Sequence, residues 1–200
     1  MKINLGEHVS IVGITGSGKT FFSREGLLPS FSRVLVMDSE DFDFDDYPAV
    51  NDYGLKSLLK GNKGWHVRKL LDTPEDADRL SGMVLKYGHD MAVYWDEITD
   101  FSTPSTIPPN LLKLIRKARK RNITVIVATQ RPQLLNKSFL ANSAHRIYFA
   151  ISDYDVRHIK DYAPFLADRL NEIPWGSYRS LYQAPSGELT LLEPVRGGEK

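Results

Sequence analysis

A glycine-rich turn near the amino terminus constrains this chain more than any other sequence feature. The turn runs from Gly13 to Thr20 as G-I-T-G-S-G-K-T, and it directly follows His8–Val12, an apolar run typical of a buried strand. Glycines at this spacing let backbone N–H groups face an anion, and a helix that begins after the turn points its positive end at the same place. The sequence therefore predicts a phosphate-binding loop.

The spacing G-x-x-x-x-G-K-T is the full P-loop pattern. We expect Lys19 to reach the β- and γ-phosphates of ATP and the Thr20 hydroxyl to bind Mg²⁺. The alternative is a chance match in a Gly/Ser-rich loop, which the preceding strand and the following helix disfavour. The predicted nucleotide-binding residues are Gly13, Thr15, Gly16, Ser17, Gly18, Lys19 and Thr20.

Short apolar runs alternate with amphipathic stretches along the chain, which predicts a mostly parallel sheet flanked by helices, an α/β fold. A turn at Pro185-Ser186-Gly187 between two apolar segments predicts a C-terminal β-hairpin. The predicted strands cover residues 8–12, 33–38, 65–70, 91–96, 123–129 and 145–149, with hairpin strands at 177–182 and 189–192. The predicted helices cover 18–25, 74–87 and 109–121.

Composition excludes several function classes. The chain has no cysteine, which excludes disulfide scaffolds, Cys-ligated zinc and a catalytic thiol. The 26 Lys and Arg residues nearly balance the 25 Asp and Glu residues, so nucleic-acid contact needs a local basic patch. Neither a signal peptide nor an uncharged apolar run of about 18 residues is present, so we expect no transmembrane segment.

Two adjacent carboxylates follow the strand at 91–95, where a P-loop protein needs an acid for its magnesium ion. We expect Asp96 to hold the metal and Glu97 to act as a general base on water. The alternative for Glu97 is a solvated loop residue. Other acids lie at Asp38 and in the loop after it, where no calcium-binding pattern occurs and a solvated acidic surface is expected. These acids are Asp41, Asp43, Asp45 and Asp46, interleaved with Phe42 and Phe44.

The strand at 123–129 delivers Thr129 and Gln130 to the edge of the sheet where the phosphate loop lies. An amide there is placed to contact a γ-phosphate and orient water, as Gln130 is expected to do. The alternative is an ordinary transition from strand to loop before Pro132.

The helix predicted at 109–121 carries a basic face opposite an apolar one. That face is either solvated or a contact for a nucleic-acid backbone, and lysines at 56, 60 and 63 form a second candidate contact. Arg119 falls toward the apolar side, where it needs a carboxylate or phosphate partner or must extend out to solvent. The basic face comprises Lys113, Arg116, Lys117, Lys120 and Arg121.

Together these motifs resemble the FtsK–HerA superfamily of DNA-pumping ATPases. The resemblance rests on Gly13–Thr20, on Tyr94-Trp95-Asp96-Glu97, and on Arg119 eleven residues before Gln130 in Ala-Thr-Gln-Arg-Pro. It extends through 145–149 and implies a RecA-like fold. It also implies a Walker A lysine and threonine at Lys19 and Thr20, a Walker B metal residue at Asp96, a base at Glu97 and a γ-phosphate sensor at Gln130. Arg146 would be an arginine finger given to the neighbouring subunit, with Arg119 and Arg131 as rivals.

At about 200 residues the chain is most similar to the genome-packaging ATPases of membrane-containing icosahedral viruses. The resemblance implies one ATPase domain over 1–200, with a motor core at about 8–150 and C-terminal helices and a hairpin at 151–200. It further implies a hexameric or pentameric ring on double-stranded DNA, capsid-vertex or membrane-associated viral partners, and location in the virion and host cytoplasm. Three alternatives remain open: an export or conjugation ATPase of the same superfamily, a small-molecule or nucleoside kinase, and a GTPase-like switch, for which the Asn-Lys-x-Asp pattern is missing.

Overall fold

A computed structural model describes residues 1–39, 43–161 and 163–195. Eight strands form one sheet in the order β3-β2-β4-β5-β1-β6-β7-β8. The first six strands in the chain pair in parallel, and β7 and β8 add an antiparallel edge beside β6. The strands are β1 (His8–Val12), β2 (Arg33–Asp38), β3 (Trp65–Leu70), β4 (Met91–Trp95), β5 (Ile123–Thr129), β6 (Ser143–Tyr148), β7 (Ser180–Gln183) and β8 (Leu189–Leu192).

Helices cover both faces of this sheet, because its central strands are apolar on both sides. In β2, Leu35 and Met37 face a core built with α2, α3 and α4, whereas Val34 and Val36 face a second core built with the segment after β1. The helices are α1 (Lys19–Phe21), α2 (Asp52–Lys60), α3 (Pro74–Tyr87), α4 (Pro109–Lys117), α5 (Lys137–Asn142), α6 (Asp153–Lys160) and α7 (Pro164–Leu170).

The predicted α/β fold, parallel sheet and C-terminal hairpin are confirmed, but several predicted boundaries move, among them that of the strand expected at 91–96, which ends at Trp95. The helix expected at 18–25 has α geometry only at Lys19–Phe21 and continues as a wider π-helix over Phe22–Leu27. The strand expected at 145–149 is Ser143–Tyr148, and the first hairpin strand begins at Ser180 rather than 177. Each shift lies at the end of an element, where apolar periodicity gives the weakest signal.

The helix expected at 109–121 also ends early. After Lys117 the chain tightens into a 3₁₀ turn over Ala118–Arg121, and Asn122 closes it in the left-handed conformation. The 100° spacing that placed Arg119 toward the apolar side does not apply in this turn. Arg119 is exposed, so the second expectation, extension to solvent, is the one confirmed.

The acidic loop after β2 is solvated only in part. The Asp43 side chain is exposed, as are those at 45 and 46, but Asp38 is fully buried and lies 3.5 Å from the Arg68 guanidinium. The expectation of a solvated surface is therefore wrong for Asp38, because it is the last residue of a strand paired on both sides. The positions 41 and 42 named in that expectation lie outside the described residues. Across the described chain, no helix is both long and apolar enough to cross a bilayer.

Candidate nucleotide-binding site

The glycine-rich turn leaves β1 at the carboxyl edge of the sheet and folds into an open cradle. Gly16 and Gly18 adopt φ of 74° and 100°, a region that side-chain-bearing residues rarely occupy. A Cβ at Gly13 would come within 2.6 Å of Phe149 Cβ and of Ser17 Oγ, whereas one at Gly16 would meet nothing within 4 Å. The turn is thus packed on its inner side and open on its outer side, as an anion-binding loop requires.

Two polar groups in the cradle fit a phosphate ligand. Lys19 Nζ donates to Ile14 O at 3.2 Å, and burial lowers the pKa of this ammonium while the charges of Glu97 and Asp96 oppose that shift. Ser17 Oγ is buried with no hydrogen-bond partner in the described structure. A buried hydroxyl and a nearly buried ammonium at one loop are stabilised by an anion that accepts from both.

Asp96 follows the last residue of β4, and its backbone N–H lies 3.4 Å from Met37 O of the neighbouring strand. The Tyr94 hydroxyl donates to Asp96 Oδ1 at 2.7 Å. The pKa of the Asp96 carboxyl is raised to about 6, mainly by burial; the Tyr94 hydrogen bond opposes this shift, and the nearby charges of Asp43 and Asp38 contribute to it. A cation beside such a carboxylate stabilises its ionised form and so offsets the cost of burying the charge.

Glu97 faces different partners from Asp96, as expected for adjacent residues at a strand end. The Thr99 hydroxyl donates to Glu97 Oε1, and the Gln130 backbone N–H donates to Oε2 at 3.0 Å. Each carboxylate oxygen of Glu97 therefore accepts a hydrogen bond, one from the turn after β4 and one from the residue that follows β5. Glu97 is not the freely solvated residue of the alternative interpretation.

The Gln130 side chain reaches across to the glycine-rich turn, where Thr15 Oγ1 donates to Gln130 Oε1 at 2.7 Å. This contact is possible because β5 lies between β4 and β1 in the sheet. Three motifs far apart in the sequence therefore meet at one cavity of about 450 Å³. Its lining residues are Thr15, Gly16, Gly18, Lys19, Thr20, Phe21, Asp43, Asp96, Glu97, Gln130 and Tyr178.

Comparison with known proteins gives one sequence relative and several structural neighbours. Protein P9 of Pseudoalteromonas phage PM2 is 30% identical over 140 residues, which cover 66% of this chain and 63% of P9. The alignment thus spans just under two thirds of that phage protein. No protein-family model matches the chain.

Among solved structures, the genome-packaging NTPase B204 from Sulfolobus turreted icosahedral virus 2, in complex with AMPPCP, superposes with a TM-score of 0.79 at 17% identity. The match covers 96% of this chain and 100% of B204. The pCW3 conjugation coupling protein TcpA with ATPγS matches with a TM-score of 0.65 at 16% identity, over 96% of this chain and 62% of TcpA. The chain shares its fold with both of these proteins. The resemblance drawn from its motifs is confirmed at the level of the fold.

The three arginines that the FtsK–HerA resemblance nominates lie in three different places. Arg131 is exposed and, with Thr15 and Gln130, lines a second cavity beside the glycine-rich turn. Arg146 is half-buried in β6, where it donates to Leu140 O at 3.1 Å and Gln183 Oε1 at 3.3 Å. Arg119 lies at the amino ends of the strands, away from the glycine-rich turn, where its Nε donates to Gly6 O at 3.3 Å just before β1. Of the three, only Arg131 lines a cavity next to the nucleotide loop of its own chain.

The basic face of α4 is exposed as predicted, with apolar Leu111, Leu114 and Ile115 packed beneath it. The lysines at 56 and 60 lie on α2, and each places its ammonium about 5 Å from the Tyr87 ring. Both groups lie toward the amino edge of the sheet, away from the nucleotide loop.

Sequence reasoning missed three side chains of the site. Tyr94 and Asp96 are two residues apart at the end of one strand, a spacing that places them on the same face and that was available from the sequence. Thr99 gave no sequence signal because it donates to Glu97 from a short 3₁₀ turn, Ile98–Asp100, which has no sequence pattern of its own. Tyr178 gave no sequence signal either, because it lies beside Gly18 only through the tertiary fold of the segment after α7.

Proposed function

We propose that this protein is an ATP-driven double-stranded DNA translocase that packages a viral genome into a preformed capsid. The observation that carries the proposal is the convergence of Lys19, Asp96, Glu97 and Gln130 on one cavity. This set combines an anion-binding loop, a metal-binding carboxylate and a separate base, which is what hydrolysis of a nucleoside triphosphate requires.

ATP is the proposed substrate. The open outer side of the cradle accommodates phosphates, with the backbone of Gly13, Thr15, Gly16, Ser17 and Gly18 around them and Lys19 beside them. Mg²⁺ is the proposed cofactor, held by the Thr20 hydroxyl and Asp96, which line the same cavity. When bound, the ion neutralises charge on the phosphate oxygens. An Asp–Thr pair supplies the oxygen ligands that Mg²⁺ prefers.

Glu97 is the proposed general base. Its carboxylate is held by Thr99 and by the Gln130 N–H, so it is positioned to accept a proton from a water that attacks the γ-phosphate. The Gln130 side chain, now on Thr15, lies where a γ-phosphate contact would report on the bound nucleotide. Lys19 offsets the charge that develops on the phosphate oxygens.

The named relatives support the proposed process, because B204 is a genome-packaging NTPase and P9 is a phage protein. Double-stranded DNA as the cargo is our proposal from the motif resemblance. We propose a homo-oligomeric ring, hexameric or pentameric, with hydrolysis at subunit interfaces, partners at a capsid vertex or among membrane-associated viral proteins, and location in the virion and host cytoplasm. Arg146 is the proposed finger in trans, with Arg131 and Arg119 as rivals.

Export or conjugation-type transport is the second candidate, because TcpA, a conjugation coupling protein, shares the fold. A nucleoside kinase is less well supported, since the arginine-rich segment that would form a lid packs against the sheet as α4 and its terminal turn.

Substitution of the base tests the site. Glu97→Gln should bind ATP within about twofold of the native protein but hydrolyse it at least about 100-fold more slowly, because only proton abstraction is lost. Binding is measured by calorimetry and turnover by phosphate release, with Glu172→Gln, an exposed glutamate on another surface, as the matched control. Normal hydrolysis by Glu97→Gln would show that another group is the base.

DNA dependence tests the cargo. Phosphate release should rise severalfold with double-stranded DNA at low salt and lose this response as salt increases, since backbone contacts release counterions. Robust hydrolysis without a DNA response would favour the export candidate. Phosphate transfer to an acceptor nucleotide would favour the kinase.

A further inference from the structure

The side chain of Tyr178 lies directly against the glycine-rich turn. A Cβ on residue 18 would lie only 3.1 Å from Tyr178 Cδ1, so a residue larger than Gly18 would displace the tyrosine ring. The ring thus covers the turn at Gly18. Yet 56% of Tyr178 remains exposed, and the residue lines the nucleotide cavity with Thr20 and Phe21. The ring is therefore supported on one side by the turn and open on the side of the cavity.

The backbone of Tyr178 is strained. Its φ of 54° lies in the left-handed region, which is unfavourable for a bulky L-residue. The surrounding loop holds it there: Ser177 N–H donates to Pro174 O at 3.2 Å, and Arg179 next to it pairs with Glu193 at 3.1 Å. Strained residues of this kind concentrate at ligand sites, where the strain fixes a side chain in position.

A second exposed aromatic lies on the same cavity. Phe21 follows the phosphate-binding Thr20 and is 48% exposed, although large apolar side chains in this chain are mostly buried. Both rings line the cavity; Tyr178 lies against Gly18, whereas Gln130 contacts Thr15 near the start of the turn. With the γ-phosphate beside Gln130, the nucleoside would extend toward the two rings.

We propose that Tyr178, with Phe21 beside it, is the surface on which the nucleobase of the substrate stacks. The inference rests on the proposed function, because it assumes that phosphates occupy the glycine-rich turn. Stacking uses the π-face that every base has, so this surface binds purines more tightly than pyrimidines without selecting a single base. It makes the loop between α7 and β7 part of the nucleotide site.

The experiment compares ATP with inorganic tripolyphosphate, which has the phosphates but no base. Tyr178→Ala should weaken ATP binding roughly five- to fifty-fold and leave tripolyphosphate binding unchanged, because only the stacking contact is removed. Tyr178→Phe, which keeps the ring, should retain native ATP affinity. Tyr53→Ala, at a tyrosine that is 86% exposed on α2, is the matched control. Calorimetry measures all four proteins.

A second measurement uses the base itself. The ratio of CTP to ATP dissociation constants should fall toward one in Tyr178→Ala, because the larger purine loses more stacking area. Unchanged ATP affinity in Tyr178→Ala would overturn the inference, and so would an equal loss for ATP and tripolyphosphate, which would mean that the loop only supports the turn. If the native protein bound neither ligand, the proposed function itself would fail.

Discussion

At the scale of single residues, the hydrogen-bond partners of Glu97 differ from those of Asp96, the proposed metal ligand. Asp96 is bound by the Tyr94 hydroxyl from its own strand, whereas Glu97 is bound by Thr99 and by the backbone of Gln130. A base must be oriented as well as basic, and an exposed glutamate would lose side-chain entropy each time it was positioned. Thr99 thus has a positioning role that can be tested apart from binding.

Thr99→Val should lower kcat for ATP hydrolysis by about tenfold and leave KM unchanged. The substitution keeps the size and β-branching of the side chain but removes one hydrogen bond to a carboxylate, which contributes roughly 1.5 kcal/mol. Thr99→Ser, which restores the hydroxyl, should recover most of the rate. Steady-state phosphate release measures both constants. A rise in KM at unchanged kcat would place Thr99 in substrate binding instead.

At the scale of elements, His8 connects three parts of the fold. Its Nδ1 accepts from Val125 N–H in β5 at 3.1 Å, and its Nε2 donates to Ile115 O in α4 at 2.8 Å. Together these bonds require the neutral imidazole, with its proton on Nε2. Burial lowers the pKa of His8 below its ordinary 6.5, the charge of Arg119 lowers it further, and the bond to Ile115 opposes the shift.

This arrangement predicts an acid-sensitive joint between β1, β5 and α4. The unfolded chain binds a proton at His8 near pH 6.5 and the folded chain only at lower pH, so the stability is present above about pH 6.5 and is lost as the pH falls below it. His8→Gln should show a smaller fall in Tm between pH 7.5 and 5.5 than the native protein. His158→Gln, at an exposed histidine on α6, is the control and should follow the native curve. Parallel curves for the native protein and His8→Gln would contradict the prediction.

The parts predictable from sequence are those with a repeating pattern or a fixed spacing. The apolar strands and the motifs around Lys19, Asp96 and Gln130 needed only periodicity and the rule that parallel strands end at one edge. The structure places these residues where that rule puts them. The predicted orientation of Arg119 assumed 100° per residue of an α-helix, and this angle does not hold after Lys117, where the chain forms a 3₁₀ turn. Tyr178 depends on a loop conformation with positive φ, which local sequence did not indicate.

At the scale of the whole molecule, the sheet order determines which groups a single chain brings to the cavity. With β5 between β4 and β1, the cavity receives Lys19, Asp96, Glu97 and Gln130 from its own chain, and Asp43 from the loop after β2 is a third acid in its lining. Among the three arginine candidates, none lines that cavity. Phosphoryl-transfer enzymes that take an arginine from a neighbour gain about 10³–10⁵ in rate, and no arginine is among the described residues that line this cavity, which is consistent with our proposal that a second subunit supplies one.

Arg146→Ala should abolish turnover but leave ATP affinity near native, and mixing it with Lys19→Ala subunits should restore part of the activity. The reason is that each inactive variant supplies what the other lacks when the two meet at one interface. Because Arg146 also donates to Leu140 O and Gln183, its loss should lower Tm, and melting curves must confirm that the variant is folded. Phosphate release is measured across the mixing ratios, with assembly verified by light scattering.

The same mixing series with Arg131→Ala decides between Arg131 and Arg146 as the arginine finger. Arg131 is exposed beside the glycine-rich turn, so its removal costs little packing, and any loss of turnover reflects chemistry or assembly rather than folding. Recovery with Arg131→Ala and none with Arg146→Ala would move the finger to Arg131 and leave Arg146 a structural role on β6. Recovery with neither, in rings of confirmed size, would mean that hydrolysis does not depend on a neighbour's arginine at either position.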